Sequence, residues 1–265
     1  MIDLHAHILP DIDDGPASLE ESIELCRAAE EDGIDTIVAT PHAFHGLYHA
    51  TRGAIFNRVA ALRDRLDAAG VAIAIEPGAE ISLTADLVDR IEKGEAMTLA
   101  DGGKYILLEL PNNILPRGID DLLFSLRLEG MKAIISHPER NFAVRDDVDA
   151  LSAIADSGHL VQLTAASLTG YFGEETYRCA VKLLESGLCH VVASDCHSLD
   201  GRPPGLSEAR HRVRALAGEA EAERIFEHNP ARILAGGDLE PLEERAAAPA
   251  RSSTSKLMNW IRRIR

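Results

Sequence analysis

The sequence predicts an α/β protein, a single distorted (β/α)7 barrel akin to the TIM barrel. Three observations predict it. Strand-sized apolar runs alternate with helical stretches as far as about residue 235. Histidines and carboxylates recur where the predicted strands end. No stretch of residues 1–240 reads as a second domain.

The elements follow in order. Residues 2–5 read as a short strand, and after Gly15-Pro16 a capping box of Ser18 and Glu21 opens a helix that stops near Gly33. Residues 34–39 are a buried strand, and 51–69 a helix ended by Gly70. The third strand is 71–75 with its helix at 84–93, and the fourth is 105–109 with a helix at 119–129. Strand 133–136 precedes helix 148–156, and strand 160–163 precedes helix 174–185. The seventh strand, 190–194, is followed by helices at 207–217 and 219–226 and by a short one opened at Asn229-Pro230. A doubly wound open sheet would alternate in the same way. Such a sheet gathers its ligands at one crevice, whereas a barrel brings every C-terminal strand end to one mouth. Candidate ligands follow six of the seven predicted strands, which favours the barrel.

A chain of 265 residues can fill one substantial core, and with 46% apolar but only 4% aromatic residues that core must be aliphatic. No apolar run approaches the roughly 20 residues of a membrane helix. The sequence opens directly on a strand, so no signal peptide is expected. A net charge of −16 argues against nonspecific nucleic-acid binding and leaves any anionic substrate to metal ions and local arginines. Cys26, Cys179, Cys189 and Cys196 form no paired motif, which suits a reducing, cytoplasmic setting. Cys196 lies between two candidate ligands, but strand alternation points it away from them, and a cysteine nucleophile is set aside. From about residue 241 the pattern fails. An Ala/Pro/Ser/Arg linker leads to the basic segment 256–265, whose Leu257, Trp260, Ile261 and Ile264 share one helical face. That face suits weak contact with anionic lipid, a partner protein or the chain's own domain.

Nine residues are candidate metal ligands: His5, His7, Asp14, His42, Glu80, Glu109, His137, Asp195 and His197. His5 and His7, two apart on a strand, point to one side. Nine donors are too many for one ion and suit two or three, and so many carboxylates could not be buried without cations. His45 and His49 lie in a loop beside His42, within reach of a substrate, while His159, His190, His211 and His228 read as structural. Glu76 and Glu139 are acids near the site without a ligand role, though Glu139 is a candidate partner for a ligand.

The opening run from Met1 to Pro16 resembles the start of the bacterial protein-tyrosine phosphatases of the PHP (polymerase and histidinol phosphatase) superfamily found in capsule and exopolysaccharide loci. So do Thr40-Pro41-His42, Gly78-Ala79-Glu80, His137-Pro138-Glu139-Arg140-Asn141 and the run from Ala193 through Gly201-Arg202-Pro203-Pro204. The resemblance covers about residues 1–235 and implies three divalent ions, commonly manganese, with iron, cobalt and zinc suited to the same donors. It implies one ion on His5, His7 and Asp195, and Glu80 bridging to a second completed by Glu109 and His137. Asp14, His42 and His197 hold a third. Arg140 and Arg202 fall where the phosphate is gripped, and the implied substrate is a phosphotyrosine protein, the cytoplasmic tail of a bacterial tyrosine kinase.

The chemistry agrees independently. Close divalent ions neutralise phosphoryl oxygens and activate water for in-line attack, and arginines supply paired contacts to phosphate. A tyrosine leaving group, with a pKa of roughly 10, needs little acid assistance. Two alternatives stay open: a small-molecule phosphatase of the histidinol-phosphate kind, and a non-catalytic regulatory module attached to a polysaccharide assembly kinase. Metal-dependent amidohydrolysis is disfavoured because such barrels use a bridging carboxylated lysine, whereas Lys104 and Lys132 precede strands and none ends one.

Overall fold

The computed structural model describes residues 1–240 except His45, His49 and Ala85; the linker and basic segment at 241–265 lie outside the described residues. The described chain is α/β with parallel strands throughout. Strands β1 (Ile2–Ala6), β2 (Thr36–Ala39), β3 (His42–Ala43), β4 (Ala74–Pro77), β5 (Glu80–Ser82), β6 (Tyr105–Glu109), β7 (Lys132–Ser136), β8 (Leu160–Thr164) and β9 (Val191–Ala193) alternate with helices. The main ones are α1 (Leu19–Glu31), α2 (Arg52–Ala69), α3 (Leu87–Glu92), α4 (Ile119–Leu128), α5 (Phe142–Asp146), α6 (Ala150–Asp156), α7 (Ala165–Leu168), α8 (Glu174–Glu185), α9 (Ser207–Ala217), α10 (Glu219–Glu223) and α11 (Asn229–Leu234). Among them no helix is long and apolar enough to cross a membrane.

The ladders form two sheets, β1-β2-β4 and β3-β5-β6-β7-β8-β9, and do not form one closed barrel. The strands expected at 34–39 and 71–75 appear as β2 and, about three residues later than expected, β4, and each is followed by a further short strand. Pro41, which has no N–H to give a ladder, separates β2 from β3, and Gly78-Ala79 separates β4 from β5. The short second halves were not expected from the sequence, because two or three residues past a Pro or Gly carry no periodicity to read. The rims of the two sheets meet where Asp195 N–H donates to His5 O at 2.8 Å and His7 N–H to Cys196 O at 2.8 Å.

Two apolar clusters position this framework. The larger packs the helices against the outer faces of the strands, through residues such as Ala6, Cys26, Ile55, Leu62, Ile135 and Leu183. The smaller, Leu4, Val38, Leu107, Ile134, Leu160 and Val191 with Tyr105 and Ile233, fills the space the strands share. Ser18 caps α1 as expected, accepting from Glu21 N–H at 3.2 Å, but Glu21 reaches back to Ala17 N–H at 2.8 Å instead of to Ser18. The helix expected at 84–93 is shorter, and α5 and α7 are single-turn additions that follow strand ends.

His159 is fully buried and is satisfied only when neutral: Nδ1 accepts from Ala133 N–H at 2.9 Å and Nε2 faces Leu123 O at 3.1 Å. Burial pushes its pKa from the ordinary 6.5 down to about 4, against the opposing pull of the Leu123 carbonyl. The unfolded chain therefore takes up this proton first as pH falls below 6.5, and stability present above 6.5 is lost toward 4. Urea unfolding of chelator-treated protein at pH 7 and pH 5 should show His159→Gln flattening the pH dependence by on the order of 1–2 kcal/mol. Parallel profiles for wild type and variant would remove His159 as the acid-sensitive group.

Candidate metal centre

β1 is irregular between Asp3 and Ala6, where its register against β2 shifts. Leu4 can thus pack in the inner cluster and Ala6 in the outer one, while His5 and His7 both reach the site. Asp3, fully buried below them, fastens β1 to the end of β9: it accepts from Ser194 N–H at 3.0 Å, from Ser194 Oγ–H, and from His5 N–H at 3.2 Å. Burial pushes its carboxyl up to about 6 despite those donors.

The loop after β1 folds over His7. A Cβ at Gly15 would stand 2.7 Å from His7 O, so only glycine permits the approach. Asp13 then orients the His7 ring, its Oδ2 2.7 Å from His7 Nδ1, and also accepts from the backbone N–H of His42 at 3.0 Å. Asp14 turns the other way, its Oδ1 3.5 Å from His42 Nε2 and 3.3 Å from His197 Nε2. Register supplies the next pair: His42 on β3 lies opposite Glu80 on β5, and His42 Nδ1 is 3.0 Å from Glu80 Oε2. Ser82 lies opposite Glu109 on β6, donates to its Oε2 at 3.1 Å and leaves that oxygen 4.0 Å from His42 Nδ1.

His137 and Asp195 follow β7 and β9 in left-handed backbone, φ 34° and 53°. Such a conformation costs roughly 1–2 kcal/mol for a residue other than glycine. It swings each side chain off its strand axis and into the centre, placing His137 Nε2 2.9 Å from Glu80 Oε1, which also accepts from Ser136 Oγ–H at 2.7 Å. His5 Nε2 and His7 Nε2 face each other at 3.1 Å, and Asp195 Oδ1 lies 3.3 Å from the first and 3.5 Å from the second.

All nine candidate ligands therefore meet in one place. Three sets of donor atoms each gather within 4.8 Å: His7, Asp14, His42 and His197; His5, His7 and Glu80; His42, Glu80 and Glu109. The donors fit divalent cations. Imidazole nitrogens and carboxylate oxygens converge without a lysine among them, and the buried Glu80 Oε2 and His197 Nε2 are approached only by other candidate ligands, His42 Nδ1 at 3.0 Å and Asp14 Oδ1 at 3.3 Å. The electrostatics carry the same imprint. Burial alone would discharge His5, yet Glu80 and Asp195 hold its pKa up at about 9. His7 is driven down to about 4 by burial and by His197. Burial opposes ionisation of Glu80 and Asp195, but His5 and its neighbours hold both well below the usual carboxylate range.

Arg140 and Arg202 both donate to the second oxygen of that same aspartate, Asp195 Oδ2, at 2.6 and 3.0 Å, and Arg202 also lies 3.7 Å from Asp14 Oδ2. Glu139 points elsewhere. It accepts from Thr164 N–H at 2.9 Å and Ser167 Oγ–H at 2.6 Å, fixing the turn from β8 into α7. Glu76 pairs with Arg63, while His190 and His211 bond backbone groups as structural residues do. His45 and His49 lie outside the described residues.

Sequence reasoning missed three positioning residues. Asp3 and Asp13 stood inside the quoted opening motif and could have been found from it. Gln162, whose Oε1 is 2.9 Å from His5 Nδ1, is a lone amide on an apolar strand and gives no signal. The expectation that no cysteine carries the C-x5-R spacing of cysteine-based phosphatases is wrong: Cys196 and Arg202 stand at that spacing. Burial removes the reading that the spacing suggests. The thiol is fully enclosed in the outer apolar cluster, and burial pushes its pKa far above the ordinary value, so no thiolate faces the site.

Residues 1–235 match the family model described as capsular polysaccharide synthesis, CpsB/CapC. The chain belongs to this family. Tyrosine-protein phosphatase YwqE of Bacillus subtilis is 38% identical over 209 residues, 79% of this chain and 82% of that protein. Tyrosine-protein phosphatase CpsB of Streptococcus pneumoniae is 34% identical over 240 residues, 88% of this chain and 98% of that protein. A crystal structure from the pair YwqE of B. subtilis and CpsB of S. pneumoniae, called unique metal-dependent tyrosine phosphatases, superposes with a TM-score of 0.87 at 34% identity. It covers 91% of this chain and 96% of that one. A lactonase from Listeria monocytogenes, at TM-score 0.59 and 16% identity, shares the fold alone.

Asp13 touches the centre through the His7 ring and the His42 N–H, and Gln162 through the His5 ring, so Asp13→Ala and Gln162→Ala should each weaken manganese binding about 10- to 100-fold. Titration calorimetry of the chelator-stripped protein checks this, and unchanged affinity would reduce both residues to packing.

Proposed function

We propose that this chain is a metal-dependent protein-tyrosine phosphatase of a capsule or exopolysaccharide locus, and that its substrate is the phosphorylated cytoplasmic tail of a tyrosine kinase. The observation that carries the reading is Asp195. One of its oxygens sits at the facing nitrogens of His5 and His7, and the other takes both Arg140 and Arg202. One carboxylate thus fixes the distance between the donor cluster and two guanidinium groups suited to a phosphate dianion.

In the assignment we favour, His5, His7 and Asp195 would hold one ion, Glu80, Glu109 and His137 a second, and Asp14, His42 and His197 a third. Manganese is the ion we propose, with iron, cobalt and zinc as substitutes. Divalent ions bound there would neutralise the phosphoryl oxygens and acidify a water for in-line attack. The chain's residues do the rest. Arg140 and Arg202 orient the phosphoryl group and take up charge as the transition state forms, and Asp195 keeps both guanidiniums aimed. Gln162 and Asp13 hold the His5 and His7 rings, leaving each Nε2 turned inward. With every described cysteine buried, no thiol competes as nucleophile, and four free buried thiols suit a reducing cytoplasm.

We also read the two sheets as one seven-stranded barrel interrupted at Pro41 and Gly78. The hydrogen bonds from Asp195 to His5 and from His7 to Cys196 support this, since they join the first strand to the last at the rim.

The test uses full-length protein stripped by chelator and resupplied with manganese, offered a phosphotyrosine peptide and histidinol phosphate. Peptide turnover should return with the metal, and Asp195→Ala and His42→Ala should abolish it. Arg140→Lys and Arg202→Lys, which keep charge but lose the planar fork, should each lower kcat/KM about 10- to 100-fold. Preference for histidinol phosphate would move the protein to small-molecule metabolism, and inactivity on both would leave a regulatory binding module.

A further inference from the structure

Beside the two arginines stands a pair of aromatic rings with no part in the chemistry so far. Tyr171 and Phe172 follow α7 in a tight turn bracketed by Gly170 and Gly173, whose left-handed φ values of 87° and 89° side chains rarely adopt. Gly173 N–H closes the turn on Gly170 O at 3.0 Å. In a chain with only 4% aromatic residues, two adjacent rings at the mouth are a concentration.

Their placement is specific. The Arg140 guanidinium lies 5.2 Å from the Phe172 ring centroid, and Tyr171 meets Phe172 edge-on at 5.2 Å and 87°. Tyr171 is 62% exposed, yet its hydroxyl donates to Gly201 O at 2.6 Å, next to Arg202. That bond ties the loop after β8 to the loop after β9. An exposed ring held at its far end loses little freedom when a second ring packs on it.

Resting on the phosphatase reading, we propose that Tyr171 and Phe172 form the wall that receives the substrate's aromatic ring, making the site selective for aryl over alkyl phosphates. A phosphate dianion held between Arg140 and Arg202 leaves its ester group pointing outward from Asp195, past the guanidinium that Phe172 backs. Ring pairs are favourable at centroid separations of about 4.5–7 Å, in offset or edge-on geometry, and an alkyl ester gains nothing comparable. Phe172 serves twice, stacking with Arg140 and presenting its edge with Tyr171, whereas Tyr171 offers the open face.

The test separates the ring from the phosphate. Manganese-loaded, full-length protein is titrated calorimetrically with two non-hydrolysable ligands, phenylphosphonate and methylphosphonate. Wild type should bind the phenyl compound more tightly, and Tyr171→Ala and Phe172→Leu should each shrink that preference about 5- to 10-fold while methylphosphonate affinity moves less than about twofold. Tyr171→Phe, which keeps the ring but frees it from Gly201, should give an intermediate preference. Equal wild-type affinities, or a preference that survives both truncations, would overturn the proposal. So would parallel loss of both ligands, which would mean the rings act only through the posture of Arg140. Failure of the phosphatase reading is visible elsewhere, as absent turnover of the phosphotyrosine peptide by wild type.

Discussion

Glu80 and Asp195 are carboxyl groups with almost no exposure to solvent, and the groups around them hold both well below the usual carboxylate range. Taking such a group out of water costs several kcal/mol even after relaxation, and only close partners of the opposite sign or well-placed donors offset it. Glu80 has His5, His7, His42 and His137 within 3.7 Å and the Ser136 hydroxyl at 2.7 Å. Asp195 has His5, His7, Arg140 and Arg202. These partners come from separate strand ends, so two carboxylates can persist only if the strands stop at matching heights. The register of His42 opposite Glu80 and the left-handed turns at His137 and Asp195 are the local geometry that this requires.

Much of this was legible in the sequence because each donor sits where an apolar run stops. A strand-sized run ending in Ser136-His137 or Ser194-Asp195 shows both the element and the residue at its tip. The alternation of strands and helices and the nine candidate residues could be read this way, and the structure brings the nine together, but the seven expected strands are nine among the described residues. Pairing could not. Whether β2 and β3 form one strand or two depends on hydrogen bonds lost at Pro41 and is invisible to periodicity, so the ladders run as two parallel sheets where the sequence predicts one distorted barrel. Gln162 was equally hidden, because an amide on a buried strand looks the same whether it orients a histidine or satisfies itself. His159 shows the converse case, a histidine whose partners are backbone groups and whose neutrality is structural.

The net charge of −16 poses a problem for a protein whose inferred substrate is a dianion, and the structure answers it locally. A long-range field of that sign repels the substrate, but screening confines it to roughly 8–10 Å at physiological salt. Within that distance Arg140 and Arg202 are the guanidiniums on hand, and both are already paired with the Asp195 carboxylate, whose other oxygen faces imidazoles. Cations at the donor cluster would reverse the local sign further. Acidic residues elsewhere, such as the exposed Glu20, Glu174 and Glu175, then serve solubility without governing recognition.

Cys196 and Arg202 show why spacing alone does not assign chemistry. Their separation matches the loop of cysteine-dependent phosphatases, where the thiol must be ionised and must face the phosphate that the arginine grips. Here the strand end is shared out differently. Asp195 and His197 turn into the site, Cys196 turns into the apolar layer against Ala6, and its N–H is taken by Ser194 Oγ. The arginine keeps its side of the site and the sulfur does not. With the thiol excluded, the proposed route to a nucleophile runs through the nine converging side chains, where bound cations would do what a single exposed cysteine does in the other design.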